Sequence, residues 1–130
     1  EEEIFFGRGR ILVMDDEAEV RSVAVELLKY LGYEPEAAAD GSQALELYRQ
    51  ARQEGAPFDA VLMDLTIPGG MGGKEAIQEL LRIDPQAKAI VSSGYANNPI
   101  MANYTQYGFQ GVTPKPYRLQ DLSKTLHEVL

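Results

Sequence analysis

Residues 11–17 read Ile-Leu-Val-Met-Asp-Asp-Glu, four apolar side chains in a row followed by three carboxylates. An apolar run this short is apolar on both faces. That suits a strand in the middle of a parallel sheet, where the helices of βα units cover both sides. The carboxylates end the strand and begin a turn. Beyond them Val20, Val23, Ala24, Leu27, Leu28 and Leu31 recur at the i, i+3, i+4, i+7 spacing of one helix face, and Gly32 supplies a stop.

The same strand–turn–helix unit repeats along the chain. Ala60-Val61-Leu62-Met63 is a second fully apolar run leading into an aspartate, Asp64. A weaker strand is expected at Glu34 to Ala39, and further strands at Ala87 to Ser92 and Gln110 to Thr113. Helices are expected at Ser42 to Gln53, capped by Asp40, with Ala44, Leu45, Leu47, Tyr48 and Ala51 inward, and from near Lys74 to just before Pro85. Asn97 to Tyr107 reads as a fourth helix, with Pro99 in its first turn and Gly108 closing it. The last helix puts Leu119, Leu122, Leu126 and Val129 on one stripe. Five strands alternating with five helices make an α/β domain on a parallel sheet over residues 10–130, and residues 1–9 are read as a tether or linker.

Composition narrows the function. A chain of 130 residues, 45% of them hydrophobic, has the size and the apolar content for one domain and one core. The absence of cysteine excludes zinc–thiolate sites, thiol nucleophiles and redox motifs, and points to a reducing, cytoplasmic setting. Twenty acidic residues against 12 basic ones give a net charge of −8, which repels phosphate backbones and anionic lipid surfaces. Neither direct nucleic-acid binding nor membrane contact by this domain is expected. No apolar run reaches the roughly 18 residues of a membrane span. Because the chain opens on Glu1-Glu2-Glu3 and not on Met, it reads as a module cut from a larger protein, one whose parent is membrane-attached if that parent is a sensor.

Several strands end in a polar residue: Met14 leads to Asp15-Asp16, Met63 to Asp64, Val91 to Ser92-Ser93, and Thr113 to Pro114-Lys115. In a parallel sheet these carboxyl ends lie on one edge, where open α/β sheets bind ligands. Three carboxylates, a hydroxyl and an ammonium would then share a pocket. Close carboxylates repel unless a cation joins them or one takes up a proton. Hard oxygen ligands without histidine or cysteine suit magnesium, which completes its shell with water and phosphate oxygens. A lysine in the same place would meet phosphoryl oxygens, and a carboxylate can attack phosphorus to form an acyl phosphate. The pocket reads as a phosphoryl acceptor. Taken singly, each residue has an ordinary reading. Asp16 with Glu19 three positions on fits a capping box, Asp64 a turn, Lys115 a solvated surface, and the serines satisfy backbone groups. Their joint placement at strand ends favours the pocket.

In these pieces the chain resembles the receiver domain of two-component response regulators over Arg10 to Leu130. The matching residues are Ile11 to Glu17, Val61 to Leu65 followed by Pro68 and a glycine turn, Val91-Ser92-Ser93-Gly94, and Lys115-Pro116. The resemblance implies a flavodoxin-like, doubly wound five-stranded parallel sheet of order 2-1-3-4-5 inside a three-layer α/β/α sandwich with five helices. It implies that Asp64 is the phosphoacceptor, taking its phosphoryl group from a phosphohistidine of a histidine kinase or histidine phosphotransfer domain. It also implies magnesium, with manganese as a substitute, held by Asp16 directly, Asp15 through water, Asp64 and the carbonyl of Thr66. Lys115, expected to precede a cis bond to Pro116, would hold the phosphoryl oxygens. Ser93, followed by the small Gly94, would be the hydroxyl that moves on phosphorylation, re-packing the face of the fourth helix and fifth strand, the family's usual dimer or partner surface. Such a domain assists its own phosphorylation and dephosphorylation but is not a turnover enzyme.

Two departures stand out. Val112 occupies the place of the aromatic usual three residues before the lysine, with Tyr95 and Tyr117 as substitutes for the aromatic part of the switch. The loop from Ile67 to Gly73 is one glycine longer than usual, which together with the lead-in Gly7 to Arg10 resembles receivers attached to hybrid sensor histidine kinases. That loop is not a nucleotide cradle: Pro68 stands where a P-loop needs its first glycine, and Glu75 stands where Ser or Thr must follow the lysine. A haloacid-dehalogenase-like phosphatase needs a second aspartate where Thr66 stands. A docking module that is never phosphorylated would be marked by loss of an acidic residue or the lysine, and all are present. His127, on the last helix, is read as exposed helix-end polarity.

Overall fold

The computed structural model describes residues 3–94 and 99–130. In chain order the elements are β1 (Arg10–Met14), α1 (Ala18–Leu31), β2 (Glu34–Ala38), α2 (Gly41–Gln53), β3 (Ala60–Asp64), α3 (Gly73–Ile83), β4 (Ala89–Ser93), α4 (Pro99–Ala102), a 3-10 turn (Tyr104–Tyr107), β5 (Gly111–Pro114) and α5 (Leu119–Val129). The strands form one parallel sheet in the order β2-β1-β3-β4-β5, the doubly wound order the resemblance implies.

Side chains alternate across the sheet, and helices cover both faces. Leu12, Met14, Val61, Met63, Ala89 and Val91 face α2 and α3 with Ala44, Leu45, Ile77 and Leu80. Ile11, Val13, Ala60, Leu62 and Ile90 face α1 and α5 with Ala24, Leu28, Leu31, Leu122 and Leu126. The central strands are therefore apolar on both faces, as their runs required. In α1 only the Ala24–Leu28–Leu31 stripe is fully buried, and Val23 is 48% exposed, turned away from the sheet. The apolar face read from the sequence is wider than the face the sheet covers.

Four local details differ from, or sharpen, the sequence reading. Asp40 caps α2 as expected, its carboxylate accepting from the Gln43 N–H at 2.9 Å. Asp16 forms no capping box: α1 starts at Ala18 behind Glu17, which makes no side-chain cap. The fourth helix is broken among the described residues. Asn103 leaves helical geometry at φ −118°, ψ 36°, and its backbone N–H and side-chain amide both donate to the Pro99 carbonyl, so a 3-10 turn follows and Gly108 (φ 101°) closes it. Asn97, the expected start of that helix, and Tyr95 lie outside the described residues. In the glycine loop only Gly69 needs a positive φ, at 74°; a Cβ on Gly72 would stand 2.6 Å from the Leu65 carbonyl oxygen. Gly72 lets the start of α3 approach the end of β3.

The stretch read as a tether is laid against the domain over residues 4–9. The Phe5 N–H meets Ser123 Oγ at 2.6 Å, its ring stacks on exposed His127 with centroids 4.0 Å apart, and the Gly7 N–H donates to the Leu31 carbonyl at 2.9 Å. Ile4 packs on the α1–α5 core.

Candidate functional site

Each strand of the sheet delivers its last residues to the same edge. β1 ends at Met14, so Asp15 and Asp16 begin the turn into α1; β3 itself ends in Asp64, β4 in Ser93, and Lys115 follows β5. Register fixes the lateral order, with Asp64 opposite Ser92, and Ser92 opposite Thr113.

Asp15 is wholly buried. One of its carboxylate oxygens accepts from the Glu17 N–H at 2.9 Å, the other from Lys115 Nζ at 2.9 Å, and its backbone carbonyl accepts from the Arg21 guanidinium at 2.7 Å. Lys115 Nζ also reaches Asp64 Oδ2 at 3.3 Å, so one ammonium joins residues from β1, β3 and β5. Its side chain is only 14% exposed. The bond from Lys115 to Pro116 is cis, as the resemblance led one to expect.

Burial raises the Asp64 carboxyl from an ordinary 3.8 to about 6, the Asp15 charge pushing the same way and Lys115 opposing. For Lys115 burial pulls the pKa down, but its bond to Asp15 and the charges of Asp64 and Asp15 outweigh that, so the ammonium is held more firmly than in water. The pocket carries excess negative charge in a partly dry place.

Asp16 is exposed, at the mouth. Its carboxylate lies within 4.8 Å of those of Asp15 and Glu17, a set that does not include Asp64. Glu17 is the member the sequence reading omitted, although it directly follows the aspartate pair. Hard oxygen donors at this spacing, with no histidine or cysteine, fit a small divalent cation. Ser93 is 6% exposed at the end of β4, while Thr66 is exposed in the loop after β3. A second polar group lies beneath the edge, with Ser92 Oγ 2.7 Å from the Tyr117 hydroxyl, both residues buried. Tyr117 thus combines packing with a hydrogen bond, and Val112 is half-buried against the other core.

The sequence profile of the response regulator receiver domain matches residues 11–127. The chain belongs to the response regulator receiver domain family. It is 34% identical over 124 residues to the sensor kinase CckA of Brucella abortus, covering 95% of this chain and 13% of that protein. It is 31% identical over 121 residues to the chemotaxis protein CheY of Thermotoga maritima, covering 92% of this chain and 96% of that one. The chain thus spans nearly all of one receiver relative and a small part of another. Among solved structures, it superposes on the receiver domain of a sensor histidine kinase from Pseudomonas aeruginosa, described with a magnesium ion coordinated in its active site cleft. The TM-score is 0.80 at 26% identity, covering 95% of this chain and 98% of that one. The receiver of two-component signalling accounts for the fold, the strand order and the acidic edge together.

Proposed function

We propose that this receiver accepts a phosphoryl group on Asp64 from a phosphohistidine of a histidine kinase or histidine phosphotransfer domain. The observation that carries the reading is the Lys115 ammonium lying between Asp15 and Asp64, 2.9 and 3.3 Å away. An Asp64 carboxylate oxygen attacks phosphorus, the P–N bond to the donor imidazole breaks with its electron pair going to nitrogen, and an acyl phosphate forms. Lys115 then balances the charge on the phosphoryl oxygens, a role in which fixed position matters more than covalent chemistry. Asp16 directly, Asp15 through water, Asp64 and the Thr66 carbonyl would hold magnesium, or manganese in its place, with Glu17 close by. When bound, the ion supplies positive charge against which the phosphoryl oxygens and the carboxylates are neutralised. Ser93 responds to the new phosphoryl group and shifts the population of the α4–β5 face, the surface proposed for a dimer or partner.

A cleft of about 230 Å³ beside Lys115, lined by Val20, Val23, Pro116 and Tyr117 with Glu19 at its wall, gives a protein phosphodonor a largely apolar place to rest next to the acceptor. The match to part of a sensor kinase supports a hybrid histidine kinase as parent. Among the described residues no helix is long and apolar enough to cross a membrane. The test is intact mass after incubation with a small acyl phosphate and magnesium. One added phosphoryl group, absent without magnesium and absent in Asp64→Asn, supports the reading; no adduct leaves a docking module. Sustained release of phosphate from a generic ester would favour a phosphatase.

A further inference from the structure

Lys115 stands just beyond the end of β5, so the strand fixes its backbone on one side only, through the Lys115 N–H donating to the Ser93 carbonyl at 3.2 Å. On the other side the chain turns towards α5, and the first well-buried side chain in that turn is Tyr117, 7% exposed. Its hydroxyl lies 2.7 Å from Ser92 Oγ. Ser92 Oγ in turn donates to the Met63 carbonyl at 3.4 Å, the carbonyl of the peptide that leads into Asp64. Ser92 has one hydroxyl proton, so with that proton on Met63 the Tyr117 O–H is the donor to Ser92. A chain of hydroxyls therefore runs from the turn that carries Lys115 to the strand that carries Asp64.

We propose that Tyr117 is a positioning residue for phosphoryl transfer, its hydroxyl tying the Lys115 turn to Ser92 so that the ammonium is held between Asp15 and Asp64. This rests on the reading of Asp64 as acceptor. Packing alone does not call for the hydroxyl, because a phenylalanine ring fills the same space without a polar group to desolvate. Nor are all hydroxyls here satisfied: Thr113 Oγ1, on the strand neighbouring Ser92, is buried with no partner among the described residues. The Tyr117–Ser92 bond is a specific link within that group, and a link that restrains a charged group beside the reacting atom acts on rate.

The experiment measures the phosphorylation rate constant with acetyl phosphate at saturating magnesium, and magnesium affinity by calorimetry, in wild type, Tyr117→Phe, Ser92→Ala, the double variant and Thr113→Val. Each single change is expected to slow phosphorylation by about 3- to 10-fold, with the double no slower than either single change and magnesium affinity unchanged. Thr113→Val is expected to keep the wild-type rate. Single variants at the wild-type rate overturn the proposal. So do losses that multiply in the double variant, or that follow magnesium affinity or melting temperature. If Tyr117→Phe fails to fold, Ser92→Ala decides, since it breaks the same bond and leaves the ring in place. A wild type that takes no phosphoryl group removes the acceptor reading and this proposal together; a labelled wild type with unslowed variants removes this proposal alone.

Discussion

Burial beside Asp15 holds the Asp64 carboxyl at about 6, well above its ordinary 3.8. A carboxyl with a raised folded-state pKa contributes stability in its protonated form; that contribution is complete below the unfolded value and is lost as pH rises through about 6. At neutral pH the ionised Asp64 is a local cost, which Lys115 offsets in part. Asp64→Asn should therefore be the more stable protein at pH 7.5, by about 2 kcal/mol, with the advantage fading towards pH 4. Melting temperatures of the two across that range check this, and a constant difference would contradict it. The ionised form is also the nucleophile, so phosphorylation at limiting magnesium should slow as pH drops below 6, read from a rate–pH profile. Asp15, Asp64 and Lys115 are legible in the sequence because a strand end tells which edge a residue occupies. The Tyr117–Ser92 bond is not, because it depends on how a turn folds back under the sheet. Nor is the start of α1 at Ala18, behind Glu17 and one residue past the position that would make Asp16 a cap, legible from the Asp16–Glu19 spacing.

Among the elements, the fully apolar runs of β1 and β3 are the most legible, since nothing but a twice-covered strand suits them. The fourth helix is the least. At its break the Asn103 side-chain amide joins the backbone N–H on the Pro99 carbonyl while Asn103 itself turns out of helical geometry, which no periodicity reveals. The double glycine before Lys74 is a question of space between two backbones and not of turn type. In α1 the exposed Val23 lies at the cleft beside Lys115 and is not among the residues that bond the Asp15, Asp64 and Lys115 side chains. Val23→Asp should therefore leave labelling by acetyl phosphate unchanged while slowing transfer from a phosphohistidine protein by about tenfold, as when a charge enters an apolar contact. Equal rates from the protein donor would mean that it docks elsewhere.

For the molecule as a whole, the net charge of −8 is divided between surface acids and a buried site. Any ion or group that neutralises that site binds the folded chain and not the unfolded one, so it must stabilise the fold by mass action. Magnesium at about 100 times its dissociation constant should add about 2.7 kcal/mol. The rise in melting temperature should be lost in Asp16→Asn and largely kept in Ser93→Ala; an equal rise in all three would place the ion elsewhere. The sheet, its helices and the acidic edge are one arrangement, and its central claim is that a phosphoryl group forms an acyl phosphate on Asp64. The most direct measurement treats the phosphorylated protein with borohydride, which reduces an acyl phosphate to an alcohol, and maps the peptides by mass spectrometry. The account predicts homoserine at position 64 and at no other aspartate; reduction at Asp15 or Asp16, or at no position in a protein that carries the added mass, would contradict it.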